Sequence, residues 1–147
     1  MRLRRSCPGR WFGEAMKLDH IGVVVRDLEA AKKSYQDLFG FTEFSALIDE
    51  PEQNVKIIFV RRLPQSADIE LIQPVGENSA VYNFLKKTGG GFHHLAYEVD
   101  DLDKSIEHFK QQKALPIGKI YPGAGHYGRR VVWFYTRLKE LIELIER

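Results

Sequence analysis

Apolar and polar positions follow the same order of elements in both halves of the chain. Residues 17–25 alternate and then become apolar, which predicts a largely buried strand. Asp27 can cap a following helix whose apolar residues recur at helical spacing up to Gly40, a residue type that ends helices. Further apolar runs bounded by turn residues predict strands over 41–47, 55–61 and 69–72, with turns at 49–54 and 63–66. The first half is therefore predicted to be βαβββ.

The second half repeats this order after a break at residues 73–76. Asn78 or Ser79 can cap a short linking helix, which the glycines at 89–91 end. A strand over 93–99, a helix after Asp101, and strands near 117–120, 130–135 and 141–146 then follow. We predict an α+β fold in one domain over residues 16–147, divided into module one (17–74), a linker helix (75–91) and module two (92–147).

An internal repeat supports this division. Residues 19–35 align with residues 93–109 at an offset of 74, which pairs His20 with His94 and Gly22 with Ala96. The tetrapeptide Ile-Glu-Leu-Ile occurs at 69–72 and again at 142–145, an offset of 73. Two independent matches at nearly one offset indicate duplicated modules rather than chance similarity.

Composition places the chain among ordinary globular proteins. The 147 residues suffice for one buried core, and no apolar stretch approaches the roughly 18 residues of a membrane span. Cys7 is the single cysteine, so no intrachain disulfide can form, and a reducing cytoplasmic location is expected. Residues 1–15 hold four arginines against one glutamate and no apolar signal region; they are expected to be a disordered arm or an over-extended gene start before Met16. Without this arm no basic surface favours nucleic acid.

The repeat also duplicates a pair of metal-ligand residue types. His20 precedes Glu70 by 50 positions, and His94 precedes Glu143 by 49. Two imidazoles and two carboxylates brought together would bind one divalent ion such as Zn²⁺, Ni²⁺, Co²⁺, Mn²⁺ or Fe²⁺ and leave positions open for substrate. Strand alternation places His93 on the face opposite to His94, in a structural role. His108, on the exposed side of its helix, and His126, in a glycine loop, are not expected to be ligands.

Residues 17–147 resemble the vicinal oxygen chelate superfamily, which includes glyoxalase I, bleomycin-resistance proteins, extradiol dioxygenases and methylmalonyl-CoA epimerase. The resemblance is nearest to the methylmalonyl-CoA epimerases. It rests on Leu-Asp-His-Ile-Gly at 18–22, Pro-Glu-Gln-Asn-Val at 51–55, Gly-Phe-His-His-Leu-Ala at 91–96, Glu-Val-Asp-Asp at 98–101 and Gly-Ala-Gly at 123–125. It implies a glyoxalase-like fold, in which two βαβββ modules form a cupped mixed sheet around the metal, commonly in a homodimer.

The same resemblance implies roles for individual residues. The family's metal ligands fall on His20, Glu70, His94 and Glu143, and Glu143 matches the ligand that also acts as catalytic base. The implied reaction is epimerisation or isomerisation, in which the base removes and returns a proton next to a chelated carbonyl of an acyl-CoA or another carbonyl compound.

Two departures from the epimerase pattern leave other functions open. Some epimerases carry a second catalytic glutamate where this chain has Ile57, and the hairpin at 134–140 is shorter than theirs and lacks glycine. A glyoxalase-I-like lyase of a thiol adduct would use the same four ligands. A resistance-type protein that sequesters a ligand generally lacks them, and an extradiol dioxygenase would need only two histidines and one glutamate.

Overall fold

The first strand and its counterpart in the second half lie side by side at the centre of one mixed sheet. The structure, a computed structural model, describes residues 15–61 and 66–147. Its first half contains β1 (Lys17–Val24), α1 (Leu28–Phe39), β2 (Glu43–Phe44), β3 (Ile48–Glu50), β4 (Val55–Arg61) and β5 (Asp68–Pro74). The second half contains β6 (Gly91–Val99), α3 (Leu102–Gln111), β7 (Leu115–Pro122), β8 (Arg130–Tyr135) and β9 (Leu141–Glu146), and α2 (Tyr82–Thr88) joins the halves.

The sheet order reflects the internal repeat. Its strands are ordered β2-β4-β5-β1-β6-β9-β8-β7, and β3 pairs with β4. β1 pairs with β5 in parallel, as β6 pairs with β9, and the central β1–β6 pair is antiparallel. The two modules therefore have the same strand connectivity. Because β1 and β6 are antiparallel, an approximate twofold axis at the boundary between the modules relates one to the other. The prediction of an α+β fold with two βαβββ modules is confirmed, with one additional short strand.

Both long helices, α1 and α3, begin at a side-chain cap. The Asp27 side chain accepts a hydrogen bond from the Ala30 N–H, and the Asp101 side chain accepts one from the Lys104 N–H, so both predicted caps form. Gly40 ends α1 in a left-handed conformation, with φ of 74°. Each helix packs on its own module: Leu28 contacts the cluster with Ile58, Val60 and Leu71, and Leu102 the cluster with Phe134 and Leu144.

Two local predictions were wrong. The strand expected over 41–47 is interrupted, because the Ser45 hydroxyl accepts the hydrogen bond of the Phe59 N–H and so takes the place of a ladder carbonyl. Neither Asn78 nor Ser79 caps the linking helix. Ser79 Oγ instead accepts from the Val81 N–H in the preceding turn, and α2 begins at Tyr82 without a side-chain cap.

The described range has two gaps. Residues 1–14, which include Cys7 and nearly all of the predicted arm, lie outside it, as does most of the predicted turn at 63–66. Among the helices of the described ranges, none is long and apolar enough to cross a membrane.

Candidate metal centre

Two small residues on the central strands stand between the predicted ligands. Gly22 of β1 pairs with Glu70 of β5 on one side and with His94 of β6 on the other. Ala96 of β6 pairs with Glu143 of β9 and with His20 of β1. The register therefore brings one histidine and one glutamate from each module onto the same area of the sheet.

Gly22 provides the space for one of these rings. A Cβ added at Gly22 would lie 2.1 Å from Cε1 and 2.2 Å from Nδ1 of His94, much closer than atoms pack. Its repeat partner Ala96 is completely buried beside Val131 and Ile145. The small residue in the motif Asp-His-Ile-Gly is thus needed for the histidine of the opposite module to enter the site.

The four predicted ligands meet in the protein interior. The Nε2 atoms of His20 and His94 are 3.0 Å apart, and their rings are nearly perpendicular, at 87°. Glu143 Oε2 lies 3.4 Å from each of these nitrogens. Glu70 contributes Oε2 at 3.3 Å from His20 and Oε1 at 3.9 Å from His94. All four residues are at most 5% exposed.

The outer nitrogens of both histidines are held by neighbours in the chain. His20 Nδ1 lies 2.8 Å from Asp19 Oδ2, and His94 Nδ1 lies 2.9 Å from His93 Nδ1. Such partners fix the ring orientation and direct the free nitrogen of a ligating histidine toward the metal. That His93 is not itself a ligand stays a prediction, but its ring contacts His94 directly instead of being separated from it by the sheet.

The charged groups shift one another's pKa values. Burial would lower the pKa of His20, but the negative charge of Glu70 and the hydrogen bond to Asp19 outweigh it and raise that pKa well above 6.5. Burial would raise the pKa of Glu143, but hydrogen bonds from His126, His20 and His94 hold it well below its usual range. Burial, reinforced by the nearby positive charge of His94, lowers the pKa of His93 to about 4.

This donor set fits one divalent ion. Bonds of about 2.1 Å from two imidazole nitrogens meeting at a right angle would place those nitrogens about 3 Å apart, as found for His20 and His94. His20, His94 and Glu143 each offer a ligand atom within 4.8 Å of the others. Two carboxylates buried together are costly without a compensating cation, and mixed nitrogen and oxygen ligation suits first-row transition metals.

A third imidazole, which the sequence analysis did not predict, lies in the site. His126, in the 3₁₀ turn Ala124–His126 between β7 and β8, is 5% exposed, and its Nε2 lies 3.3 Å from Glu143 Oε1. The glycines at 123, 125 and 128 were a signal of a tight loop, but not of its direction. His108 lies on α3 and is half-buried, so the prediction that it occupies the exposed side of its helix was wrong.

Two adjoining cavities lead to these residues. A pocket of about 350 Å³ is lined by His93, Tyr121, Trp133, Ile117 and Lys119, among others. Tyr121 and Gln53 also line the small cavity that contains Glu70, Glu143 and His126. Ile57 lies in the wall of this second cavity, so the departure noted in the sequence falls at the site itself.

Comparison with known proteins identifies the family. The model of the Glyoxalase/Bleomycin resistance protein/Dioxygenase superfamily matches residues 19–133. The chain belongs to this superfamily, as its resemblance predicted.

Several similar proteins within this superfamily are named as acyl-CoA epimerases. The chain is 37% identical over 122 residues to an ethylmalonyl-CoA/methylmalonyl-CoA epimerase of Cereibacter sphaeroides, which covers 82% of this chain and 89% of the relative. The crystal structure of methylmalonyl-CoA epimerase from Mycobacterium tuberculosis superposes with a TM-score of 0.80 at 25% identity, covering 94% of this chain and 93% of that one. A Streptomyces coelicolor methylmalonyl-CoA epimerase variant, in complex with 2-nitronate-propionyl-CoA, has a TM-score of 0.78 at 27% identity and covers 89% and 94%.

Proposed function

We propose that this protein is a divalent-metal-dependent epimerase that moves the proton next to the thioester carbonyl of a short branched acyl-CoA, with methylmalonyl-CoA as the first candidate. The observation that carries the proposal is the buried convergence of His20, His94 and Glu143 beside an open pocket. The 37% identity to an epimerase of ethylmalonyl-CoA and methylmalonyl-CoA supports the substrate class.

Four residues would bind the metal ion, and one of them, Glu143, would also act as the base. His20, Glu70, His94 and Glu143 would hold the ion, which supplies Lewis acidity to a chelated carbonyl. Glu143 is also the proposed base, because its carboxylate is ionised and lies in the cavity that adjoins the substrate pocket. Its Oε2 faces His20 and His94, while its Oε1 faces only His126 and keeps a second lone pair for the substrate proton. The protein walls exclude water from this carboxylate, which is 3% exposed.

The lining of the pocket supports an acyl-CoA as the ligand. Trp133 and Ile117 offer apolar surface for an acyl group. The ammonium group of Lys119 at the pocket wall is exposed and lies 3.8 Å from Oε2 of Glu52, a weak surface ion pair that a phosphate-bearing ligand could replace. We propose further that residues 16–147 act as one domain of two modules, and that the protein works as a homodimer in the cytoplasm.

Metal content tests the site. We expect metal-stripped protein titrated with Co²⁺ to bind about one ion per chain, and His94→Ala to abolish that binding because it removes one of the two nitrogen ligands. His108→Ala, which changes a histidine on α3, is the matched control and should bind as the unchanged protein does. A chain that binds no metal, yet keeps its fold and binds acyl-CoA unaltered by His94→Ala, would exclude the proposed enzyme.

Substrate comparison separates the alternatives. The metal-loaded protein should exchange the α-proton of methylmalonyl-CoA and ethylmalonyl-CoA with solvent. It should not convert the hemithioacetal formed from glutathione and an α-ketoaldehyde. Conversion of that thiol adduct without exchange on either acyl-CoA would establish the lyase instead, and tight acyl-CoA binding without turnover would establish a sequestering protein.

A further inference from the structure

The imidazole of His126 contacts both ligand carboxylates from outside the predicted quartet. Its Nε2 lies 3.3 Å from Oε1 of Glu143 and 3.9 Å from Oε2 of Glu70. At the repeat offsets of 74 and 73, His126 aligns with Glu52 and Gln53 in the turn between β3 and β4, so module one has no imidazole at the equivalent place. The ring is therefore an addition of module two to an otherwise duplicated site.

Ring orientation argues against His126 as a ligand of the same ion. An imidazole binds a metal along the nitrogen lone pair, which lies in the plane of the ring. The rings of His20 and His126 are stacked, with centroids 5.1 Å apart and planes only 14° from parallel, so their nitrogen lone pairs do not converge as those of perpendicular rings can. His126 offers a ligand atom within 4.8 Å of those of Asp19 and His20, but it does not belong to the group formed by His20, His94 and Glu143. His94, by contrast, is almost perpendicular to His20 and can share an ion with it.

The same contact suits a hydrogen bond. Oε2 of Glu143 faces Nε2 of both His20 and His94, and Oε1 is the oxygen that faces His126. A carboxylate that binds a metal through one oxygen needs its other oxygen held, and a neutral imidazole protonated on Nε2 can donate to it.

Hydrogen bonds and packing in the loop set the position of this ring. Oε2 of Glu50, a buried carboxylate, accepts a hydrogen bond of 2.6 Å from the Ala124 N–H, and its Oε1 accepts from the Glu52 N–H. Phe59 packs against the ring in a T-shaped contact, and Gly123 approaches it closely, since a Cβ there would lie 3.0 Å from Cδ2 of His126, a tight contact. Glu50 thus ties the turn to β3 and fixes the place of the imidazole.

We propose that His126 is a positioning residue of the metal centre, which donates a hydrogen bond from Nε2 to Oε1 of Glu143 and so orients that carboxylate toward the ion. The inference rests on the proposed metal site but not on the identity of the substrate. His126 lines the same small cavity as Ile57, which occupies the position of the second catalytic glutamate of some epimerases.

Metal affinity tests the role independently of turnover. His126→Ala should weaken Co²⁺ binding about 10- to 100-fold, the usual effect of losing a partner of a metal ligand. The protein should still bind one ion with the absorption bands of the unchanged ligand set. His126→Gln can donate from its amide and should recover most of the affinity, while His126→Phe keeps the ring packing without a donor and should resemble His126→Ala. His108→Ala is the control and should leave the affinity for Co²⁺ unchanged.

Each result is decisive. Unchanged affinity in both His126→Phe and His126→Ala would overturn the proposal, as would X-ray absorption of the Co²⁺ protein showing that one nitrogen ligand is lost in those variants. If His126→Ala does not fold, the comparison of His126→Phe with His126→Gln carries the test, because both fill the site. Failure of the unchanged protein to bind Co²⁺ would instead refute the proposed function.

Discussion

Gly22 and His94 are cross-strand neighbours, and the imidazole of His94 lies in the space that a side chain at position 22 would fill. The ring occupies the space in which a Cβ at Gly22 would lie, with His94 Cε1 only 2.1 Å from that point. The contact crosses the boundary between the modules. A residue of module one thereby determines where a proposed metal ligand of module two can lie, and this contact requires a small residue two positions after the first histidine.

Gly22→Ala should impair metal binding without removing any ligand. The added methyl group must displace the His94 ring, and overpacking of this kind costs about 1–3 kcal/mol of stability. We expect Co²⁺ affinity to fall at least about 10-fold because one ligand is misdirected. Isothermal titration measures the affinity, and thermal unfolding measures the stability.

Gly40→Ala is the control for the change of glycine to alanine. It strains the left-handed residue that ends α1, far from the metal centre, and should lower stability while leaving Co²⁺ affinity unchanged. Equal affinity in Gly22→Ala and the unchanged protein would show that the His94 ring can bind from another position.

His93 should influence the metal through His94. The two Nδ1 atoms are 2.9 Å apart, and the low pKa of His93, about 4, keeps it neutral near pH 7, so it can accept the hydrogen bond that orients its neighbour. His93→Ala should weaken Co²⁺ binding about 10-fold or more, and His93→Asn, which retains an acceptor, should weaken it less. Identical effects of alanine and asparagine would contradict an orienting role.

The metal-free protein should lose stability as the solution becomes alkaline. The folded-state pKa of His20 is raised well above 6.5, so its protonated form stabilises the fold. This contribution is fully present below the unfolded value of 6.5 and is lost as pH rises through the raised folded pKa. Urea unfolding of metal-stripped protein between pH 6 and 10 should show the decline, and His20→Asn should flatten it; a stability that rises over that range would contradict the assignment.

Tyr121 should support substrate binding more than metal binding. The Trp133 indole N–H donates to the Tyr121 hydroxyl at 2.6 Å, and this pair forms part of the pocket wall. Tyr121→Phe removes the acceptor at a cost of about 1–3 kcal/mol of stability and should raise KM for an acyl-CoA, with Co²⁺ affinity unchanged. Tyr135→Phe, on the exposed end of β8, is the matched control. An equal rise in KM in this variant would show that the effect of Tyr121→Phe does not arise from the pocket wall.

The convergence of the four proposed metal ligands could be predicted from sequence because it depends on strand periodicity and an internal repeat. A shared offset places His20 with His94, and sheet pairing then leaves little freedom for Glu70 and Glu143. His126 could not be predicted in this way. Its direction follows from a 3₁₀ turn, the left-handed Tyr127 with φ of 57°, and a hydrogen bond from Ala124 to Glu50 that joins residues 74 positions apart. Loop geometry of this kind has no period, so its side chains cannot be placed by counting.

The break between β2 and β3 has a similar origin. Residues 41–47 have the composition of a strand, but the Ser45 hydroxyl competes for the Phe59 N–H and interrupts the ladder. Such side-chain competition depends on which residue lies across the sheet, and strand propensity does not contain that information.

Solvent exchange of the substrate α-proton tests the central claim most directly. Co²⁺-loaded protein and methylmalonyl-CoA in D₂O should yield substrate carrying one deuterium at the α-carbon, detected by mass spectrometry. Glu143→Gln, compared at equal occupancy by Co²⁺, should slow exchange about 10²- to 10⁴-fold, because the amide cannot accept the proton. Fully metallated wild-type protein that incorporates no deuterium, or a Glu143→Gln variant that exchanges as fast as wild type, would contradict the account.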